Sequence, residues 1–177
     1  MKRSFVLAAL LFAGESSACS ETGAFGVRFG EPVPTSAADK QRDGGSVQNA
    51  MGFFDGEVPE PMPGFRHGYG ANRDRSFVYA VDAQRRFFDD QGVKDVRAAY
   101  TEALAKVKEE IAVIRKSWEE KYGLSFQRDH ENGLSWTADG GTFTARIYVG
   151  FFYKLNVECS NKSLEARAIR AAMSSGF

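Results

Sequence analysis

The sequence is poor in the residue types on which most catalytic and metal sites depend. Only 2 histidines and 2 cysteines occur among its 177 residues. Neither histidine belongs to an HExxH motif, and the cysteines do not form a metal-binding cluster. No GxSxG motif surrounds a serine, and the glycines at 64, 68 and 70 do not follow the GxGxxG spacing. The sequence therefore predicts no metal ion and no cofactor, and it singles out no catalytic residue.

An excess of positive charge is also missing, because 23 Lys and Arg residues balance 23 Asp and Glu residues. Proteins that bind nucleic acid through its phosphates carry Lys and Arg concentrated on one face. We therefore expect no nucleic-acid partner. The hydrophobic fraction is 43% and the aromatic fraction 13%, which is enough to build the core of one domain.

Long hydrophobic runs are absent, but a short one follows the basic residues Lys2 and Arg3. An uncharged, mostly apolar stretch over residues 5–14 leads to small residues at Ser16 and Ala18, which suits cleavage after Ala18. A helix of about ten residues rises only about 15 Å, half the thickness of a bilayer core. The pattern predicts a signal peptide over 1–18 and a single exported domain over 19–177, periplasmic or secreted, with no transmembrane span.

The two cysteines, Cys19 and Cys159, permit a disulfide in an exported protein. Such a bridge would link the mature N-terminus to a strand near the C-terminus. Two alternatives stay open at this stage. Cys19 could carry a lipid and tether the protein as a lipoprotein, although Ser16 stands where the lipoprotein pattern has an aliphatic residue, or both thiols could be free. Neither cysteine belongs to a Cys-His motif, so a cysteine nucleophile is not expected.

The clearest periodic pattern predicts one long helix over about 92–122. Apolar residues recur at intervals of three or four along one face: Val93, Val96, Tyr100, Leu104, Val107, Ile111, Ile114, Trp118 and Tyr122. Gly123 is suited to end the helix. The apolar face must pack on another layer, and a sheet is the expected partner.

Alternation of apolar and polar residues predicts the strands of that sheet: 25–29, 53–58, 76–83, 124–128 and 134–137. The longest alternation runs from Thr142 to Cys159. A single strand of that length would extend about 60 Å, more than the width of the domain. We expect two strands, 142–149 and 152–158, that fold back at Gly150, and the alternative is one strand with a bulge there.

Two regions complete the predicted α+β fold, a mainly antiparallel sheet packed against one long helix. Residues 31–50 are rich in Pro, Ser, Asp and Gly and predict a flexible loop. Residues 162–174 predict a short C-terminal helix, capped by Asn161 or Ser163.

Paired phenylalanines are the most suggestive feature for binding. Adjacent residues in a strand point to opposite faces, so one member of each pair is expected at the surface. Exposed and clustered aromatic residues would form a binding surface. The candidate binding residues are Phe87, Phe88, Phe151 and Phe152.

The stretches Phe25-Gly-Val-Arg-Phe-Gly-Glu31, Pro59-Glu-Pro-Met-Pro63, Lys121-Tyr-Gly123 and Leu155-Asn-Val-Glu-Cys159 resemble small exported proteins of Gram-negative bacteria. The resemblance implies an exported protein and brings no activity and no site residues with it.

These observations favour a non-catalytic periplasmic or secreted module that binds a protein or envelope partner. One alternative is a small envelope hydrolase whose site assembles in space around His67 or His130. The other is the lipoprotein tethered through Cys19.

Overall fold

A computed structural model describes residues 19–35, 51–72, 74–88 and 94–174. The predicted signal peptide and most of the predicted loop lie outside the described residues. The elements, in chain order, are β1 (Gly23–Ala24), β2 (Val27–Arg28), β3 (Met51–Asp55), β4 (Arg66–Asn72), β5 (Val78–Arg86), α1 (Val96–Tyr122), β6 (Gln127–Arg128), β7 (Ser135–Asp139), β8 (Phe143–Gly150), β9 (Lys154–Asn161) and α2 (Lys162–Ser174). The α+β prediction, with one long helix and a short C-terminal helix, is confirmed.

The described residues form one seven-stranded sheet in the order β3-β4-β5-β9-β8-β7-β6, and β1 and β2 pair separately. Every neighbouring pair is antiparallel. The last strand, β9, lies in the middle of the sheet between β5 and β8. The main core lies between one face of this sheet and α1, where Ile114 and Trp118 of the helix pack in the same cluster as Ile147, Leu155 and Val157 of the sheet.

The strands β8 and β9 form a hairpin, so the two-strand prediction for residues 142–159 is confirmed. The predicted position of the turn is wrong, because Gly150 is extended and pairs with Lys154 as the last residue of β8. A single 3-10 turn over Phe151–Tyr153 connects them. Because this connection has an odd number of residues, Ile147 pairs with Val157 and Val149 pairs with Leu155. Odd-numbered residues therefore stay on the core face in both strands, which explains why the alternation continues through the turn.

The helix α1 begins later than predicted, at Val96, because Asp95 caps it. The Asp95 carboxylate accepts a hydrogen bond from the Ala98 N–H at 3.0 Å. At the other end Gly123 adopts φ 64° and its N–H donates to the Glu119 carbonyl at 3.1 Å, as predicted for the helix end.

Replacing Gly123 with alanine is expected to lower the free energy of unfolding by about 1 kcal/mol, because an L-residue is strained at positive φ. Urea denaturation measures the change. Gly123→Asn is the matched control and should cost less, since asparagine tolerates this conformation better. Equal stabilities for the wild type and Gly123→Ala would contradict this explanation of the helix end.

Four predicted strands differ in the structure. Of the strand predicted over 124–128, only Gln127–Arg128 forms one, as β6. Residues 25–29 do not form one strand, because the chain turns at Phe25 and Gly26, which both have positive φ. This turn brings β2 back onto β1. The strand predicted over 53–58 is instead β3, which ends at Asp55. The strand predicted over 76–83 extends to Arg86 as β5.

A β-bulge changes which side chains of β5 face the main core. Gly70 pairs with Ala80 but Ala71 pairs with Val78, so Tyr79 is an extra residue in β5. Phe77 and Tyr79 consequently pack with Ala168 of α2, in a second cluster. Val81 and Ala83 remain in the main core. Simple alternation along Phe77, Tyr79, Val81 and Ala83 would place all four side chains on one face, and the bulge prevents this.

The C-terminal helix α2 occupies the predicted residues and lies on the sheet face opposite α1. Of the two predicted capping residues, Asn161 caps α2. Its side-chain oxygen accepts hydrogen bonds from the N–H groups of Ser163 and Leu164, both at 3.1 Å. Lys162 additionally contacts Asp139 at 2.6 Å.

Cys19 and Cys159 form a disulfide, with Cα atoms 5.5 Å apart and both side chains buried. The bridge ties the segment that carries β1 and β2 to the central strand β9. Among the described residues, no helix is long and apolar enough to cross a membrane.

Candidate functional site: the α1 groove

A groove of about 560 Å³ lies between the second half of α1 and the extended segment 59–65. We call it the α1 groove. Three buried side chains form its floor: Phe25, Ile114 and Trp118. Its walls carry Pro61, Met62, Pro63 and Phe65 on one side and Glu110, Val113, Ser117, Lys121 and Tyr122 on the other.

Trp118 organises the floor of the α1 groove. Its ring lies 6.2 Å from the ring of Phe25 and 6.5 Å from the ring of Tyr122, measured between centroids. Phe25 reaches this position because the turn at Phe25 and Gly26 directs its side chain into the core. The Glu60 N–H donates to the Phe25 carbonyl at 3.1 Å, which fixes the extended segment beside the floor.

The extended wall, residues 59–63, offers no backbone donor to a ligand. Proline at 59, 61 and 63 has no N–H. The remaining two N–H groups are used internally, because Glu60 donates to Phe25 and Met62 donates to His67 Nε2 at 3.1 Å. The backbone of this wall can therefore offer a ligand only carbonyl acceptors, and its side chains offer apolar contacts and the carboxylate of Glu60.

The opposite wall exposes an apolar side chain. Val113 is 65% exposed although it lies on the helix beside the buried Ile114. Charged groups border the groove at its ends. Glu110 lies 3.7 Å from Arg85 at the end near Phe65, and Lys121 lies 5.9 Å from the ring of Tyr122 at the other end. The lining of the groove thus combines apolar side chains with the charged groups of Glu60, Glu110 and Lys121.

The predicted phenylalanine surface is located at the β8–β9 turn. The Phe87 N–H donates to the Tyr153 carbonyl at 3.2 Å, so the two predicted pairs belong to neighbouring segments. Phe151 is 92% exposed, Phe87 is half-buried and Phe88 is buried against Tyr100, with ring centroids 4.1 Å apart. The side chain of Phe152 lies outside the described residues. Phe88 therefore contributes to the core, and Phe151 presents its ring to solvent.

The two histidines lie in different environments. His67 belongs to β4 and is buried, with its ring 5.6 Å from that of Phe25. Its Nε2 accepts a hydrogen bond from the Met62 N–H at 3.1 Å, so this nitrogen supports the segment 59–65. His130 is exposed in the turn between β6 and β7. Within the described ranges, no group of His, Cys, Asp or Glu residues is arranged to hold a metal ion.

The sheet also brings together a carboxylate pair that the sequence did not reveal. Asp82 of β5 pairs directly with Glu158 of β9, and both point away from α1. Burial raises the pKa of Glu158 to about 7, and the neighbouring carboxylates of Asp82 and Glu165 add to this effect against the opposing influence of Arg146. The residues are far apart in the chain, so only the register of the sheet identifies them as neighbours.

Comparison of the chain with known protein families, with curated proteins and with solved structures finds no match.

Proposed function

We propose that the protein is an exported, non-catalytic interaction module whose α1 groove binds an apolar segment of a polypeptide partner. The observation that carries the proposal is the open groove itself, with an aromatic floor and the exposed Val113 on its rim. Buried aromatic residues surrounded by a polar margin are typical of the centre of a protein–protein interface.

The extended wall favours a helical partner over an extended one. A strand added to this wall would find no N–H groups for its carbonyls, so its backbone would be left partly unpaired. A helix satisfies its own backbone hydrogen bonds and needs only a groove for its apolar face. We therefore infer an amphipathic helix that places a few aliphatic or aromatic side chains over Trp118.

The disulfide supports the exported part of the proposal, because such bonds persist mainly outside the reducing cytosol. It also bears on the lipoprotein alternative. A cysteine whose sulfur is bonded to Cys159 has no sulfur left for a thioether-linked lipid. The proposed location is the periplasm or the extracellular medium, in agreement with the resemblance to exported proteins of Gram-negative bacteria.

The substitution Val113→Asp is expected to weaken partner binding at least tenfold, because it places a charge against the apolar helix of the partner. The partner is first obtained by photo-crosslinking from an extract of the producing cells, with the photoreactive residue at position 113. Its affinity for the purified protein is then measured by calorimetry. Because Val113 is largely exposed, the free energy of unfolding should change by no more than about 0.5 kcal/mol.

Ala112→Asp is the matched control, since Ala112 is an exposed neighbour on α1 that does not line the groove. This variant should bind like the wild type. Equal affinities for all three proteins would show that the groove is not the binding surface. A crosslink to an acyl lipid instead of a polypeptide would refute the proposed class of partner.

A further inference from the structure

We propose that α2 docks on the sheet with a proton bound at Glu158 and loosens when that proton is lost. We call α2 and the sheet residues beneath it the α2 latch. The proposal is independent of the α1 groove, which lies on the opposite face of the sheet.

The sheet register builds the centre of the α2 latch. Glu158 stands in the middle of a cross-strand row, with Asp82 of β5 on one side and Arg146 of β8 on the other. The Arg146 guanidinium lies 3.7 Å from the Glu158 carboxyl and is itself about half exposed. Gln84 donates a hydrogen bond to Asp82 at 2.6 Å. The partly solvated guanidinium of Arg146 therefore lies in one row with two carboxyls, those of Glu158 and Asp82.

The helix α2 packs on β5 and β9 beside this row and adds a third carboxyl, Glu165. Ala168 and Leu164 of α2 pack against Phe77, Tyr79 and Ala80. The hydroxyls of Tyr79 and Ser160 are buried beneath it and have no hydrogen-bond partner among the described residues. Within the described part of the chain, the interface between α2 and the sheet thus leaves these two buried hydroxyls without a partner, and a cation that α2 brings to it, Arg167, lies over the ring of Phe77 at 4.7 Å.

The charged and titratable groups that face Glu158 come from each element around it: Asp82 and Tyr79 from β5, Arg146 from β8 and Glu165 from α2. The side chain of Glu158 is only 12% exposed. Burial is the main cause that raises its pKa from 4.5 to about 7, Arg146 opposes the change, and Asp82 and Glu165 reinforce it. Burial also raises the pKa of Tyr79, with Glu165 and Glu158 contributing. A neutral Glu158 is therefore the form that suits the docked helix.

The raised pKa of Glu158 in the docked state sets the direction of the pH dependence. The docked state retains the proton up to pH about 7, whereas a solvated glutamate loses it near 4.5. Between these two values the docked form holds more protons than the undocked form, so the stability of docking falls as pH rises, by up to about tenfold in the opening constant per pH unit. The dependence levels off below and above this window.

Hydrogen exchange of the α2 amides between pH 4.5 and pH 8, corrected for the intrinsic chemistry, measures the opening constant. For the wild type we expect a rise of at least tenfold across this range, with no comparable change in the amides of β8. Glu158→Gln is neutral at every pH and should keep the protection seen at acid pH. Glu131→Gln, a substitution in the exposed turn after β6, is the matched control and should behave like the wild type.

Two further variants keep the test decisive if Glu158→Gln does not fold. Removing the charge of Glu165 by Glu165→Gln should move the transition to lower pH, and removing that of Arg146 by Arg146→Gln should move it to higher pH. The proposal is overturned if α2 protection in the wild type does not depend on pH. It is also overturned if Glu158→Gln retains the wild-type dependence, or if Glu165→Gln and Arg146→Gln shift the transition in the same direction.

Discussion

Removing the disulfide through the double substitution Cys19→Ala, Cys159→Ala is expected to lower the free energy of unfolding by about 5 kcal/mol in the chain-entropy model. The reason is the length of the closed loop, because the two cysteines are 140 residues apart. Replacing both residues avoids leaving a lone buried thiol. Guanidinium denaturation of the oxidised wild type and of the double variant measures the difference.

The loss should also have a local signature. The segment that carries β1 and β2 is held by the disulfide and by a hydrogen bond from the Asn161 side-chain amide to the Glu21 carbonyl at 3.0 Å. Without the disulfide, the amide hydrogens of this segment should exchange faster. The side chain of Phe25 should also be more mobile in the floor of the α1 groove. A loss below about 1 kcal/mol, well under the usual range for native disulfides, would show that other contacts hold the N-terminal segment.

The substitution Trp118→Ala is expected to cost about 3–5 kcal/mol, as is typical when a large buried aromatic side chain is truncated. Trp118 is buried and contacts the rings of Phe25, Tyr122 and Phe126. The cavity would open the floor of the α1 groove to water. Urea denaturation measures the cost, and partner affinity should fall together with it.

Trp136→Ala is the matched control for this prediction. Trp136 is half-buried, and Arg115 lies over its ring at 4.0 Å. Its indole N–H donates to the Gly133 carbonyl at 3.0 Å. The substitution removes a side chain of the same size outside the groove, so it should cost less and leave partner affinity unchanged. Equal costs for the two substitutions would contradict the central position assigned to Trp118.

The parts of the fold that local periodicity determines were predictable from the sequence. The helix α1 shows a continuous apolar face, and its C-terminal end follows from Gly123. The β8–β9 hairpin follows from the length of the alternation, but the turn is formed by Phe151–Tyr153 and not by Gly150. The local pattern predicts the structure wrongly where a single residue interrupts it. Asp95 delays the start of α1 through its capping hydrogen bond, and the bulge at Tyr79 moves part of β5 to the opposite face.

Most of the candidate site could not be predicted from the sequence, because its residues come from segments that are distant in the chain. The α1 groove combines the turn at Phe25, the segment 59–65 and the second half of α1. The sequence indicates that 59–63 is extended and that Trp118 faces the core, but it does not show that the two meet. The pair of Asp82 and Glu158 was hidden for the same reason, since strand order and register are set by long-range packing.

The most direct test of the α1 groove is to map crosslinks on the partner polypeptide. Photoreactive residues at positions 113, 117 and 121, which follow one another along the same wall, report three successive contact points. The proposed amphipathic helix predicts adducts on the partner spaced three or four residues apart. Adducts at every second residue would indicate an extended strand, and adducts that are equally frequent from position 112 would contradict binding in the groove.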